Sequence, residues 1–571
     1  MSDKKKLFYE NIIPRKVFSN KKKNITLTDA SALILSNKNQ IFLEKGKNKF
    51  FIFFLSILIF FFIVIFNLYS LSLNNSPKNV SSFNKNPYLK RGKIIDRNEK
   101  IISATISTLD LYIDPIKIIN SENTNKILKK IFPQKADVFF ANLFIKNKYR
   151  LISTHLTKDQ EYEIKKLGEP GLVFHKSEKR VYPHNNLFSQ ITGFMSRHQK
   201  PQSKLEKNYD YLLSQGKNLK LTVNSKIQNI VYQEIKQGME KYNSKTSLGL
   251  LMDVTNGEII SMVSLPDFNP NHPSKIKAYT ENNLVTNARF EMGSTLKMFN
   301  AAMAIENNSI NKSDLFDVSE DYKLTNTYLV KDHKKLTKPI NFNEVFIESS
   351  NIGSIKVLEK TGVEKQKKFF YNLGFNERVI LKGLSSIENN LPNDSEWDDV
   401  RSKSISYGYG ISITPLSLVK IFSSLVNGGY KINPTIIFDE ELYKERVLKK
   451  ETSDEINNLL YEIVDLGTGK KASIKGLKIG GKTGTARKSK DKEGYYDNKI
   501  VTSFIGVFPV ENPKYILFIL FDDPKNENSL LEYYGGNTAA PVFSKIVEKI
   551  SPILMLKKYT ESLGEVVKIN R

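Results

Sequence analysis

Cysteine is absent from this chain of 571 residues. Disulfides and thiolate metal sites are therefore excluded, although the compartment stays open, because extracytoplasmic proteins can do without disulfides. Histidine is scarce. The six, at positions 155, 175, 184, 198, 272 and 333, never fall at H-x-x-x-H spacing. That argues against a zinc hydrolase, and neither metal nor cofactor is expected. Acidic residues are the minority charge, 60 Asp and Glu against 86 Lys and Arg, for a net charge of +26. Such an excess fits a plain solvated surface, or a face turned to polyanions or anionic lipid. No basic-aromatic motif, zinc-finger spacing or RNA-binding signature accompanies it, so nucleic acid is not expected as a partner. Internal repeats and extended low-complexity segments are missing too. What remains is ordinary for a folded protein: 40% hydrophobic and 26% charged residues. The length suggests about two to four domains.

The strongest physical signal is the run FFIFFLSILIFFFIVIF, Phe50 to Phe66, which can extend through Asn67 to Leu73. That is long enough to cross a hydrocarbon core of roughly 30 Å. It is longer than the apolar part of a cleaved signal peptide, and no A-x-A-like site follows it. An uncleaved signal anchor over residues 50–73 is expected. Residues 1–49 carry two KKK clusters and further Lys and Arg against four acids. The positive-inside rule keeps this basic tail in the cytoplasm and puts everything beyond the span on the far side.

The rest divides by composition. Residues 74–88 are polar and turn-rich and read as a linker. Residues 89–225 mix short strands and helices; RGKIIDRNEKIISA reads as two strands joined at Arg97 to Lys100. Residues 226–556 open with an amphipathic helix carrying Ile227, Ile230, Val231, Ile235 and Met239 on one face. A hairpin turning at Thr255 to Gly257 follows, then helices at Thr295 to Glu306 and Asn343 to Glu359. Three strands end the domain, with a last helix at about Ala540 to Lys549. Strands, then helices, then strands predict an α+β fold, with helices packed on one side of a mainly antiparallel sheet. Residues 557–571 read as a C-terminal tail.

The stretch GLKIGGKTGT, Gly476 to Thr485, satisfies the phosphate-cradling pattern G-x-x-x-x-G-K-[ST]. A P-loop needs a helix directly after its Lys-Thr. Here GTARKSKDKEGYYDN follows, a poor helix, and LKIGGKTGTAR reads as a strand. Beyond a bacterial membrane there is also essentially no ATP. A nucleophile offers another meaning. Ser294 and Lys297 stand three apart, which on a helix places lysine beside hydroxyl, near a helix start whose dipole favours negative charge. Ser-x-x-Lys also occurs at Ser2, Ser19, Ser274, Ser417 and Ser489, and Lys360-Thr361-Gly362 repeats the KTG triplet at a helix end. The set carries the specificity: Ser294-x-x-Lys297, then Ser349-Ser350-Asn351, then Lys482-Thr483-Gly484-Thr485. Its chemistry is acyl transfer through a serine ester. Lys297 would take the proton of Ser294 if a dry pocket and the charge of Lys482 depress its pKa. Ser349 and Asn351 would relay protons and orient an amide. Thr483 and Thr485 would bind a carboxylate, and Gly484 would leave room for a peptide paired to the strand. The backbone N–H groups of Ser294 and Thr485 would hold the oxyanion.

With these motifs the chain resembles the class B penicillin-binding proteins, peptidoglycan D,D-transpeptidases, over roughly residues 88–550. RGKIIDRN (Arg91 to Asn98) and RVYP (Arg180 to Pro183) look like the family's pedestal motifs. LPDFNPN (Leu265 to Asn271), YGYGISITPLSL (Tyr407 to Leu418), GGKTGTA (Gly480 to Ala486) and YYGGNTAAPVF (Tyr533 to Phe543) look like its transpeptidase domain. They are most similar to the division-specific FtsI branch. The resemblance implies a single membrane anchor, a pedestal of the dimerisation type, and a periplasmic penicillin-binding domain whose antiparallel sheet is flanked by helices. It implies that Ser294 attacks the penultimate D-alanine of a stem peptide and that a neighbouring amine resolves the ester. β-Lactams would acylate the same serine. An FtsW-like lipid II polymerase and other division proteins are the implied partners, at the bacterial inner membrane. Three positions depart from the pattern: Met292 for a proline, Gln190 for a histidine and Glu99 for a turn glycine. Rival readings are an elongation-type enzyme, a D,D-carboxypeptidase or β-lactamase with water as acceptor, and a vestigial division scaffold or β-lactam sensor. No glutamate matches the deacylating residue of class A β-lactamases, and none of the motif residues is lost.

Overall fold

The computed structural model describes residues 53–67, 90–144, 148–311, 313–438, 442–490, 494–525 and 533–556. The chain divides into two compact units, residues 1–86 and 87–571. In the first, residues 53–67 of the apolar run are helical and their side chains exposed. Among the described residues no helix is long and apolar enough to cross a membrane. The remainder of the expected anchor 50–73, the basic tail 1–49, the linker 74–88 and the tail 557–571 lie outside the described residues.

The second unit begins with a sheet built on one long strand. Strand β1 (Ile94–Ile95) turns back into β2 (Ile101–Ile113), as RGKIIDRNEKIISA predicts. Strand β3 (Arg150–Ser153) pairs with the far end of β2, and β4 (Leu172–Val181) pairs along it from Ala104 to Ile113. Strand β5 (Leu219–Lys220) joins β1 in parallel. The turn between β1 and β2 is fastened by buried Asp96. One carboxylate oxygen accepts the N–H groups of Asn98 and Lys100, and the other accepts that of Ser225, at the start of the next helix. Glu99 takes φ +63° in that turn, the conformation for which a glycine is suited. Gln190 is buried and donates to Thr280 O at 2.6 Å.

Helix α1 (Ser225–Lys241) leads into the hairpin of β6 (Thr246–Asp253) and β7 (Ile259–Leu265). The chain then forms α2 (Lys297–Glu306), α3 (Phe342–Ile347), α4 (Asn351–Thr361), α5 (Asp399–Tyr407), α6 (Pro415–Val426) and α7 (Lys450–Asp465). Strands β8 (Gly480–Ser489), β9 (Tyr495–Phe508) and β10 (Tyr515–Asp522) precede α8 (Ala539–Ile550). The strands form one sheet in the order β8-β9-β10-β6-β7, antiparallel throughout. Strand β8 is therefore an edge.

Two expectations need correction. Helices cover both faces of this sheet, not one. Every residue of β6, β7 and β10 except Thr246 is buried, so both pleat faces are apolar and each needs a partner. Leu250, Met252, Phe518 and Leu520 pack with α2 and α6 in one core. Leu251, Leu517, Ile519 and Phe521 pack with α1 and α8 in another. Each such fully buried side chain contributes roughly 1.5–3 kcal/mol. The second correction is the helix expected from Asn343 to Glu359. It breaks between Ile347 and Asn351, where Ser349 takes φ +59°.

The two arginine motifs of the first sheet meet on one carboxylate. Glu206, fully buried, accepts from Arg91 Nε at 2.9 Å, Arg180 Nε at 2.7 Å and Ser103 Oγ at 3.1 Å. Removing one partner of a buried ion network leaves the others uncompensated. Glu206→Ala is expected to lower unfolding stability by about 3–5 kcal/mol, read as a drop in the urea midpoint of this sheet. An unchanged midpoint would show that water replaces the carboxylate without cost.

Candidate active site

The nucleophile candidate sits on a tight turn. Gly293–Leu296 forms a single 3-10 turn that runs directly into α2 at Lys297. Gly293 adopts φ +53°, and a Cβ there would lie 2.2 Å from Thr485 O and 3.1 Å from Thr485 N. Only glycine permits this approach, which packs the turn bearing Ser294 against the edge strand at Thr485. The two backbone groups expected to hold an oxyanion thus belong to segments in direct contact. Gly484 is constrained from the other side. A Cβ there would meet Ser503 Oγ at 2.3 Å, Met292 O at 2.7 Å and Thr295 Oγ1 at 2.7 Å. The room that Gly484 leaves is filled by the serine turn, whereas the sequence suggested room for a bound peptide.

Lys297 and Lys482 are both fully buried. Lys297 Nζ donates to Ser349 O at 2.5 Å and to Asn351 Oδ1 at 2.7 Å, with Ser349 Oγ at 3.4 Å. Lys482 Nζ donates to Ser349 Oγ at 2.9 Å. The three motifs therefore converge through Ser349, whose positive φ turns it into the space between the lysines. Among the described residues no hydrogen bond joins Ser294 Oγ to Lys297, which faces the Ser349–Asn351 turn. Such contacts are often loose without substrate and tighten when it binds. Burial pushes Lys297 down to about 7, against a smaller upward pull from the Asp332 carboxylate. Burial, and then the charge of Lys297, hold Lys482 well below the usual lysine range. Two ammonium groups on one dry hydroxyl repel, so the arrangement favours one neutral lysine, a base at neutral pH.

Asp332 escaped the sequence reading. Its Oδ1 accepts the N–H groups of Asn351 at 2.5 Å and Ile352 at 3.1 Å, and Ser350 Oγ donates to its Oδ2 at 2.5 Å. A carboxylate at the start of α4 satisfies free N–H groups and suits the positive helix end. A lone aspartate in the lysine-rich LVKDHKKL gives no periodic signal. On the strand side, Thr483 Oγ1 lies 3.1 Å from Thr468 Oγ1, and Thr485 Oγ1 accepts from Gly535 N at 3.1 Å.

The competing motif copies fall elsewhere. Ser417 is buried in α6, where its N–H and hydroxyl contact the Thr414 cap, while Lys420 pairs with Glu377. Gly362 ends α4, donating its N–H to Leu358 O at 2.7 Å. Lys482-Thr483 lies inside a strand with no helix after it, which removes the phosphate-loop reading of GLKIGGKTGT. Ser274 lies in a short turn, Ser489 ends β8, and Ser2 and Ser19 are outside the described residues.

Residues 248–548 match the penicillin binding protein transpeptidase domain, and residues 88–247 match the penicillin-binding protein dimerisation domain. A probable peptidoglycan D,D-transpeptidase FtsI of Caulobacter vibrioides is 30% identical, over 82% of this chain and 82% of its own. A peptidoglycan D,D-transpeptidase FtsI homologue of Mesostigma viride is 27% identical, over 86% of this chain and 92% of its own. The peptidoglycan D,D-transpeptidase FtsI of Buchnera aphidicola is 27% identical, over 82% of this chain and 87% of its own.

The Asp332 carboxylate raises Lys297 while burial lowers it. Asp332→Asn should therefore move the Lys297 titration to lower pH, extending the range in which the amine is neutral. Selective ¹³C labelling of lysine and NMR titration would report it. A shift upward, or none, would mean that Asp332 does not act on Lys297.

Proposed function

The chain belongs to the penicillin-binding proteins, class B and FtsI-like, and on that ground we propose that it is the peptidoglycan D,D-transpeptidase of septal wall synthesis, acting through Ser294. The observation that carries the assignment to this site is the pair of buried lysines meeting on Ser349 beside the serine turn. Ser294 Oγ attacks the carbonyl of the penultimate D-alanine of a stem peptide, and neutral Lys297 takes its proton. The N–H groups of Ser294 and Thr485 stabilise the tetrahedral oxyanion. As the C–N bond breaks, the D-alanine amine receives a proton through Ser349 and the lysines, and an ester to Ser294 remains. An amine of a second stem then attacks that ester, forming the cross-link and returning the proton to Ser294. Asn351 orients the donor amide, and Thr483 and Thr485 hold its terminal carboxylate. A β-lactam follows the first half of this path and stays as the ester.

The same reading assigns the rest of the chain. Residues 89–225 form the pedestal and 226–556 the transpeptidase domain. Residues 50–73 anchor the protein once in the inner membrane, with 1–49 cytoplasmic and the catalytic domain periplasmic. The run from Phe50 to Phe66, apolar but for Ser56, and the lysine-rich flank support this. An FtsW-like lipid II polymerase and other division proteins are the partners this assignment implies. None of the motif residues that acyl transfer needs is lost from the sequence, which disfavours a vestigial scaffold.

Full-length protein should take a fluorescent penicillin covalently, Ser294→Ala should take none, and Ser417→Ala should label as wild type. Lys297→Met should slow labelling about 10²–10⁴-fold. Lysine is a base only when neutral, so below about pH 7 the wild-type rate should fall about tenfold per pH unit. Label that persists in Ser294→Ala would sink the assignment.

A further inference from the structure

The motif residues do not account for one of the contacts that hold the serine turn. Glu291 lies just before Met292 and Gly293, on the segment that leads into Ser294. One of its carboxyl oxygens, Oε1, accepts two hydrogen bonds, from Gly410 N at 2.8 Å and from the Tyr495 hydroxyl at 2.9 Å. Gly410 belongs to the loop between α5 and α6, whose Gly408 lies against Gly293. Tyr495 opens β9 and pairs with Ser489 at the far end of β8. A single oxygen thus joins the approach to the serine, the glycine loop and the outer end of the β8–β9 hairpin. A second tie reinforces it: Arg487 N donates to the Tyr409 hydroxyl at 3.3 Å, and the Tyr409 ring meets that of Tyr495 edge-on at 5.1 Å. The other carboxyl oxygen, Oε2, is buried and has no hydrogen-bond partner among the described residues. A bare anionic oxygen there would be costly, so the arrangement suits a neutral carboxyl acting as an acceptor. Burial pushes the Glu291 carboxyl up, against smaller pulls from Gly410, Tyr495 and Arg401.

We propose that Glu291 is a positioning residue for acylation: with Tyr495 it latches the β8–β9 hairpin to the serine turn and so sets the spacing between the N–H groups of Ser294 and Thr485. The inference rests on the assignment of Ser294 as nucleophile. The two N–H groups belong to different segments, and their separation decides how well both reach one developing oxyanion. The close approach of Gly293 to Thr485 keeps the segments from coming nearer. The bond from Tyr495 to Glu291 keeps them from parting. Binding before the chemical step does not need that spacing, so loss of the latch falls on the rate of acylation and not on affinity.

The test follows acylation of the detergent-solubilised full chain by a fluorescent penicillin over a range of concentrations. The limiting rate reports the chemical step, and the half-saturating concentration reports binding. Glu291→Ala should lower the limiting rate about 10- to 100-fold and leave the half-saturating concentration within about twofold of wild type. Tyr495→Phe keeps the ring, loses only the hydroxyl, and should lower the limiting rate about three- to tenfold. The double variant should be no slower than Glu291→Ala, because Tyr495 acts through Glu291. Glu291→Gln keeps a neutral acceptor and should stay within about threefold of wild type. A Tyr495→Phe variant at the wild-type rate, a loss confined to the half-saturating concentration, or a Glu291→Gln variant as slow as Glu291→Ala would overturn the latch alone. A wild type that is not acylated would overturn the Ser294 assignment and the latch with it.

Discussion

The hydroxyl of Ser349 is the joint on which the site depends. Lys482 reaches it at 2.9 Å from the edge strand and Lys297 at 3.4 Å from the central helix. Burying one ammonium is costly, and burying two against one hydroxyl is costlier, so the pocket is at rest only with a proton missing. In the proposed reaction a chain with six histidines, none of them among these groups, would obtain its base this way. On that proposal, burial would do the work that an imidazole does in other serine enzymes.

That joint requires three distant segments to be held to within a few tenths of an ångström. Rigidity comes from the sheet, whose central strands are buried on both faces and gripped by two cores. Strand β8 is an edge, yet it is paired with β9 along most of its length, from Gly480 to Arg487. The edge therefore offers an open row of backbone groups toward the cleft without being loose. On the opposite wall the break between α3 and α4 supplies the turn, and Asp332 locks it by occupying the N–H groups that the break leaves free. A short helix that simply continued would have carried Ser349 past the lysines.

Much of this was legible in the sequence, for identifiable reasons. The strands announced themselves as uniformly apolar runs, and the three motifs as residue types whose chemistry needs them together. The break at Ser349 was not legible, because FNEVFIESSNIGSIKVLE keeps a helical period across it and only tertiary contacts impose the positive φ. Asp332 was invisible for a related reason: a single polar residue in a basic loop acquires meaning only from what the fold sets opposite it. Cover on both sheet faces could have been read from YILFILFDD, where no alternation leaves a face for water. Gly484 was read for its strand and its possible ligand, whereas its neighbour in space is the serine turn.

That neighbour also explains why Met292 can stand where a proline is usual in the resemblance. Proline would fix φ near −65°, and Met292 lies at −91° with its side chain buried. The turn does not need the ring to hold its shape. Met292 O lies against the space at Gly484, and Gly293 lies against Thr485 on the same strand. Gly408 closes from the third side, where a Cβ would sit 2.2 Å from Gly293 O. Interlocked backbone on these sides restricts the turn more tightly than one dihedral could. The departure from the family pattern thus falls where packing had already made the residue's own rigidity redundant.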